Sequence, residues 1–164
     1  MQRNISRVLV AAVIVMFTTP LFSTTAFADA KTETEVRKAV EAGYAYAKKE
    51  LRDQDNVVPR DGALHFWSSG GLLQRVPANA PVSEYDYNSV TPKHIEVITL
   101  QPGKSAVAMY YAEGSFKEKG RDAVGHYMTR VTEVMIKEGG TWKITAAHYS
   151  AIAGGSGTNQ NALD

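Results

Sequence analysis

Apolar positions recur at three- and four-residue spacing through TETEVRKAVEAGYAYAKKELRDQ, where Val36, Val40, Gly43, Ala47 and Leu51 share one side. That is the period of an amphipathic helix, and Thr32 followed by Glu35 supplies a capping box at its start. Beyond the breaker VVPRDG the period changes. ALHFW and LLQRV, separated by SSGG, read as a short hairpin closed by Gly70 and Gly71. PANAPVSEYDYNSVTP holds three prolines and no period, so it reads as a long loop. KHIEVITL, SAVAMYYAEGSF, AVGHYMTRVTEVMI and WKITAAHYSAI then read as four strands, with the glycine-bearing turns QPGK, KEKGRD and KEGGT between them. There is no internal repeat. A helix followed by antiparallel strands predicts an α+β fold with the helix packed on one face of the sheet.

The last hairpin allows a prediction of which side chains share a face, because strand residues alternate and opposite residues point the same way. A three-residue loop of Glu138, Gly139 and Gly140 sets Ile136 opposite Trp142, Val134 opposite Ile144 and Arg130 opposite His148. That register gathers apolar side chains on one face near the turn, as one buried face requires. Farther along, the same inward face carries His126, Arg130, Thr132, His148 and Ser150. Glu133 and Met135 fall on the reverse face.

The N-terminus changes the domain count. Arg3 and Arg7 precede the apolar run VLVAAVIVMF, and Ala26, Phe27 and Ala28 follow it, the three parts of a secretory signal peptide. The run is about ten residues, whereas a membrane span needs about 20, so a cleaved leader is expected over residues 1–28, with no stable membrane anchor after cleavage. One domain is expected over 29–153, and a flexible polar tail over 154–164. Cleavage after Ala28 leaves 136 of the 164 residues, and Lys plus Arg falls from 18 to 16 against 17 acids, a charge of −1. That near-neutral surface argues against nucleic acid, which calls for clustered Lys and Arg. The chain has no cysteine, which excludes disulfides, thiolate catalysis and thiolate zinc sites. The four histidines, His65, His94, His126 and His148, show no paired ligand spacing, so no metal is expected. A periplasmic or secreted protein follows from the leader.

RVTEV, GGTW and AAHYS together resemble the terminal hairpin of nuclear transport factor 2-like domains, in particular the SnoaL-like and calcium/calmodulin-dependent kinase association-domain branches. The residues that carry the resemblance are Arg130, Thr132, Gly139, Gly140, Trp142, His148 and Ser150. It implies a cone: a helix closing over a strongly curved antiparallel sheet, a pocket in the concave face, and commonly a homodimer through the sheet; no cofactor is expected. The same cone serves enzymes, ligand binders and assembly modules. Isomerases and dehydratases of the family use an Asp or His base with Tyr or Asp donors, and neither that set nor an Asp, Arg, Asp relay is complete here. Asp61, Asp86 and Asp122 sit in turn contexts that favour capping.

The sequence therefore points first to an exported domain that binds a small, partly apolar molecule with an anionic or polar end. An inward Arg130 requires a counter-charge, supplied by Glu113 on the neighbouring strand or by the ligand. His148 beside a cation is expected to be neutral and able to accept a proton. Arg130, His148, His126, Tyr111, Trp67, Tyr44 and Glu113 are the candidate ligand-binding residues, with one of Tyr110 and Tyr111 inward. An isomerase, dehydratase or cyclase using His148 or His126 as base is the alternative, and an assembly module without ligand is the third.

Overall fold

The computed structural model describes residues 25–157, with side chains from Ala30. Most of the expected leader and residues 158–164 of the expected tail lie outside the described residues. One helix, α1 (Thr25–Glu50), precedes seven strands: β1 (Ala63–Phe66), β2 (Gln74–Val76), β3 (Tyr85–Asn88), β4 (Thr91–Gln101), β5 (Ser105–Glu118), β6 (Val124–Glu138) and β7 (Thr141–Ala151). They form one curved sheet that does not close, in the order β2-β1-β7-β6-β5-β3, with β4 also paired to β5. All pairs are antiparallel except β1 with β7, which is parallel. The fold is α+β with a mixed sheet.

α1 buries Val36, Val40 and Ala47 against the sheet, as its spacing predicts. Leu51 lies beyond the helix, in the left-handed region at φ 54°, and ends it. Thr32 does not cap the helix, which starts seven residues earlier. Its hydroxyl instead accepts a 2.8 Å hydrogen bond from the Gly103 N–H in the β4–β5 turn. Glu35 reaches across to Lys137 at 2.6 Å and accepts from Trp142 Nε1 at 3.1 Å, tying the helix to the β6–β7 hairpin.

The proline-rich segment is not all loop: β3 forms within it and pairs with the last residues of β5. β3 and β4 thus occupy successive stretches of the same β5 edge. Their corner, Ser89–Val90, crosses β5 at Gly114, where a Cβ would sit 2.8 Å from the Ser89 carbonyl oxygen.

The β6–β7 hairpin differs from the expected register. Glu138 pairs with Thr141, so the loop is the two residues Gly139 and Gly140, both at positive φ (61° and 83°), as a two-residue hairpin turn favours. A bulge then leaves Thr145 unpaired between Met135–Ile144 and Val134–Ala146. It reverses the parity of β7. Trp142 and Ile144 face the helix before the bulge, and Ala147 and Tyr149 do so after it. On β6 the inward residues are Tyr127, Thr129, Val131, Glu133 and Met135.

The chain beyond β7 turns back at Gly154, and Ser156 bridges to Tyr127, its N–H donating to the His126 carbonyl at 2.7 Å.

Candidate functional site

The inward face of the sheet is paved with small side chains. Ala106, Ala108 and Ala112 alternate along β5, and Ala147 lies on β7, all fully or almost fully buried. Glu133 stands in the row between two of them, opposite Ala108 on one side and Ala147 on the other. His65 comes next, opposite Ala147. Alanine cannot fill the space between a curved sheet and a helix. A cavity of about 1020 Å³ remains, at the upper end of the range for small-molecule sites.

Large aromatic side chains wall it. Trp67 stacks on Tyr149 with ring centroids 5.4 Å apart and planes 10° from parallel. Tyr44 from α1 meets Tyr110 edge-on at 5.9 Å. Trp142, Tyr85 and Phe116 complete the apolar part of the wall.

The polar groups converge on Glu133, which is 4% exposed. The Tyr149 hydroxyl donates to its Oε1 at 2.9 Å, and the Tyr44 hydroxyl donates to that of Tyr110 at 3.4 Å. Burial raises the Glu133 carboxyl above the usual range, while hydrogen bonding from Tyr149 and Tyr110 pulls the other way. Burial likewise holds the hydroxyls of Tyr44, Tyr110 and Tyr149 well above the ordinary phenol value.

His65 is 5% exposed, and neither ring nitrogen has a hydrogen-bond partner. Burial lowers it to about 4, so the ring is neutral near pH 7. It packs edge-on against Trp67 at 4.9 Å and Tyr149 at 6.3 Å. Toward the end of the helix, Asp53 accepts from the Tyr85 hydroxyl at 2.9 Å. Burial pushes its carboxyl up to about 6. The only Lys or Arg among the described cavity residues is Lys143, which is paired to Glu138 at 3.0 Å. Among the described residues no His, Asp and Glu side chains group closely enough to hold a metal ion.

No family model matches the sequence, and no curated protein matches it. Solved structures do match. An NTF2-like protein of unknown function from Pseudomonas putida KT2440 is 16% identical over 75% of this chain and 88% of that one, with a TM-score of 0.51. The chain has the nuclear transport factor 2-like fold. Lower-scoring matches include an NTF2-like protein of unknown function in nutrient uptake from Rhodospirillum rubrum ATCC 11170, 18% identical over 75% of this chain and 97% of that one (TM-score 0.47). The CamKII hub homology domain of Chlamydamonas reinhardtii is 17% identical over 75% and 93% (TM-score 0.41).

In this NTF2-like cone, two of the sequence candidates line the cavity: Tyr44 and Trp67. The others lie on the opposite, outward face. Tyr110 points inward at 4% exposure and Tyr111 outward at 46%. Arg130 is exposed, opposite Tyr111 on β5 and Ser150 on β7 rather than His148. As a solvated charge it needs no buried partner, and Glu113 pairs with Lys93 at 3.5 Å instead. His148 is exposed opposite Thr132, its ring 5.5 Å from that of Phe66. His126 is exposed at the start of β6. Neither histidine is placed to act as a base in the cavity.

Glu133 and Tyr149 are not singled out as inward by the sequence, because the two-residue turn sets β6 one residue off the expected parity and the bulge at Thr145 does the same to β7 beyond Ile144. His65 and Tyr110 lie on β1 and β5, whose facing the hairpin register does not fix. One signal is available. Ala106, Ala108 and Ala112 put the small side chains of β5 on one parity, the parity that faces a closely packed helix.

Proposed function

We propose that this protein is an exported small-molecule-binding domain whose ligand occupies the cavity between α1 and the sheet. The observation that carries the proposal is Glu133: a buried carboxyl flanked by alanines at the base of a space of about 1020 Å³. Desolvating a carboxyl costs several kcal/mol, and an apolar side chain there would fill the space and avoid that cost. A ligand that meets the carboxyl gives a reason for keeping it. Arg130 is outside the cavity, and the one Lys or Arg among the described cavity residues, Lys143, is held by Glu138, so an anionic end finds no free cation there. The polar end of the ligand is instead one that suits Glu133 and the tyrosine hydroxyls. Export rests on the leader pattern of residues 1–28, and cleavage after Ala28 would shorten α1 by one turn and leave its buried positions intact.

Native mass spectrometry of the protein as its own cells process it tests both halves of the proposal. The expected result is a mass beginning near Asp29 with a small organic molecule retained; a ligand-free protein that also takes up nothing from a cell extract would defeat it.

The outward face supports a second element, a homodimer through the sheet. Leu64, Phe66, Ile98, Leu100, Met109 and Tyr111 are 38% to 58% exposed on it, and Val107, Val134 and Ala146 fill the row between Ile98 and Leu64. An apolar sheet face of that breadth is covered in a stable protein, and a second copy of the same face is apolar to match. Met109→Glu, near the middle of the patch, is expected to convert a dimer to a folded monomer in sedimentation equilibrium. A dimer that survives the change would place the interface elsewhere.

A further inference from the structure

The hydrogen-bond directions inside the cavity say what kind of polar group it takes. Tyr149 donates to Glu133, and Tyr44 donates to Tyr110. The hydroxyl protons of Tyr149 and Tyr44 are therefore already donated. The carboxyl meets no cation among the described cavity residues except Lys143, which Glu138 holds. The surrounding walls are the faces and edges of Trp67, Tyr149, Tyr44 and Tyr110. A buried acid and aromatic faces together match an ammonium group, which has donors only and is drawn to ring faces.

Resting on the ligand-binding function proposed above, we infer that the cavity takes a small organic amine, its ammonium paired with Glu133 and its apolar body against the aromatic wall. A carbonyl or hydroxyl ligand would find the Tyr149 and Tyr44 protons already donated and would bring no charge to pair with Glu133. A carboxylate ligand would be repelled by Glu133 wherever Glu133 is ionised.

Proton linkage gives this a sign. In the free protein burial favours the protonated Glu133, whereas an ammonium beside it favours the carboxylate, so amine binding drives a proton off. Affinity therefore rises with pH through the titration of Glu133, until the amine itself deprotonates. The groups that face Glu133 are Tyr149 from β7, Tyr110 from β5, Tyr44 from α1 and Tyr127 from its own strand. Burial raises all four tyrosines, so none ionises in that range. His65, one position past Ala147 in the row, stays neutral above its lowered value of about 4.

The test uses three probes with the same body, 4-phenylbutylamine, 4-phenylbutanol and 4-phenylbutyrate, titrated by calorimetry into the processed protein freed of retained ligand. The amine is expected to bind tighter than the alcohol by roughly tenfold or more, with the acid weakest. Glu133→Gln is expected to abolish that preference while keeping alcohol binding, which also reports that the variant is folded. Should that variant not fold, wild-type amine affinity that rises with pH while alcohol affinity stays flat supports the same conclusion. An alcohol or acid that binds as tightly as the amine overturns the amine assignment and leaves the binding function standing. Failure of all three probes to bind overturns the amine assignment, and the binding function falls separately if native mass spectrometry and the cell extract also yield no ligand.

Discussion

Replacing His65 with Phe is expected to give the protein about 3 kcal/mol of acid resistance relative to wild type as pH falls from 6.5 to 4, and Asp53→Asn is expected to do the reverse by a similar amount. His65 is lowered from 6.5 to about 4 by burial. The unfolded chain therefore binds its proton more readily, and the stability His65 gives at neutral pH is lost as pH falls below 6.5. Asp53 is raised from 3.8 to about 6, so the folded chain binds that proton more readily. Its contribution is present below 3.8 and lost as pH rises through 6. Each shift exceeds two pH units, and one unit is worth about 1.4 kcal/mol. The two nearly cancel in the wild type. Glu133, also raised, adds to the Asp53 side.

Urea midpoints of the three proteins across pH 4 to 6.5 check this. Subtracting the wild-type profile removes the shared effect of Glu35, Glu84 and Glu138, which ion pairs hold below the usual range. Phe keeps the ring packing on Trp67 and Tyr149, and Asn still accepts from Tyr85. Three parallel profiles would mean that neither group is desolvated as described.

Gly114→Ala is expected to destabilise the fold by about 3 to 5 kcal/mol, combining backbone strain with overpacking. The glycine has φ 149°, a conformation side chains rarely adopt. A Cβ would lie 2.8 Å from both the Ser89 carbonyl oxygen and the Val90 Cα. Both are backbone atoms, and the corner that carries them is pinned. Ser89 N donates to the Ser115 carbonyl at 2.9 Å, Ser115 N donates to the Ser89 hydroxyl at 3.0 Å, and Val90 N donates to Asn88 Oδ1 at 2.9 Å. Neither side can yield without breaking these bonds. Gly125→Ala, on β6 with nothing within 4 Å of the added Cβ, serves as the control and should stay within about 0.5 kcal/mol of wild type. Total stability of a domain this size is typically about 5 to 15 kcal/mol, so the Gly114 variant is expected to be only partly folded at 37 °C in thermal melts. Equal melting of the two variants would remove the corner from its structural role.

The elements are legible in the sequence. The 3.6-residue spacing of Val36, Val40 and Ala47 places the helix, and the glycine turns at 70–71, 103, 120 and 139–140 divide the strands, because these patterns are local. β3 is hidden, since YDYN has a strand's composition but lies among prolines, and only the free edge of β5 beyond Gly114 gives it a partner.

Facing is harder than existence. Period-two reading works when one face is polar, and here both are apolar, the outward one with Ile98, Met109 and Phe66 and the inward one with Val131, Met135 and Trp142. A parity error then leaves the apparent hydrophobicity of either face unchanged. It moves Arg130, His126 and His148 indoors and puts Glu133 outside.

By itself the sequence determined a helix followed by a sheet, its hairpin turns and the aromatic stock of a pocket, because spacing and turn chemistry act between near neighbours. Which side chains meet in that pocket was decided by tertiary structure. The two-residue turn at Gly139–Gly140 and the bulge at Thr145 fix how β7 lies against β6, and one extra residue in a strand exchanges its faces, turning Tyr149 onto Glu133 and His148 out to solvent.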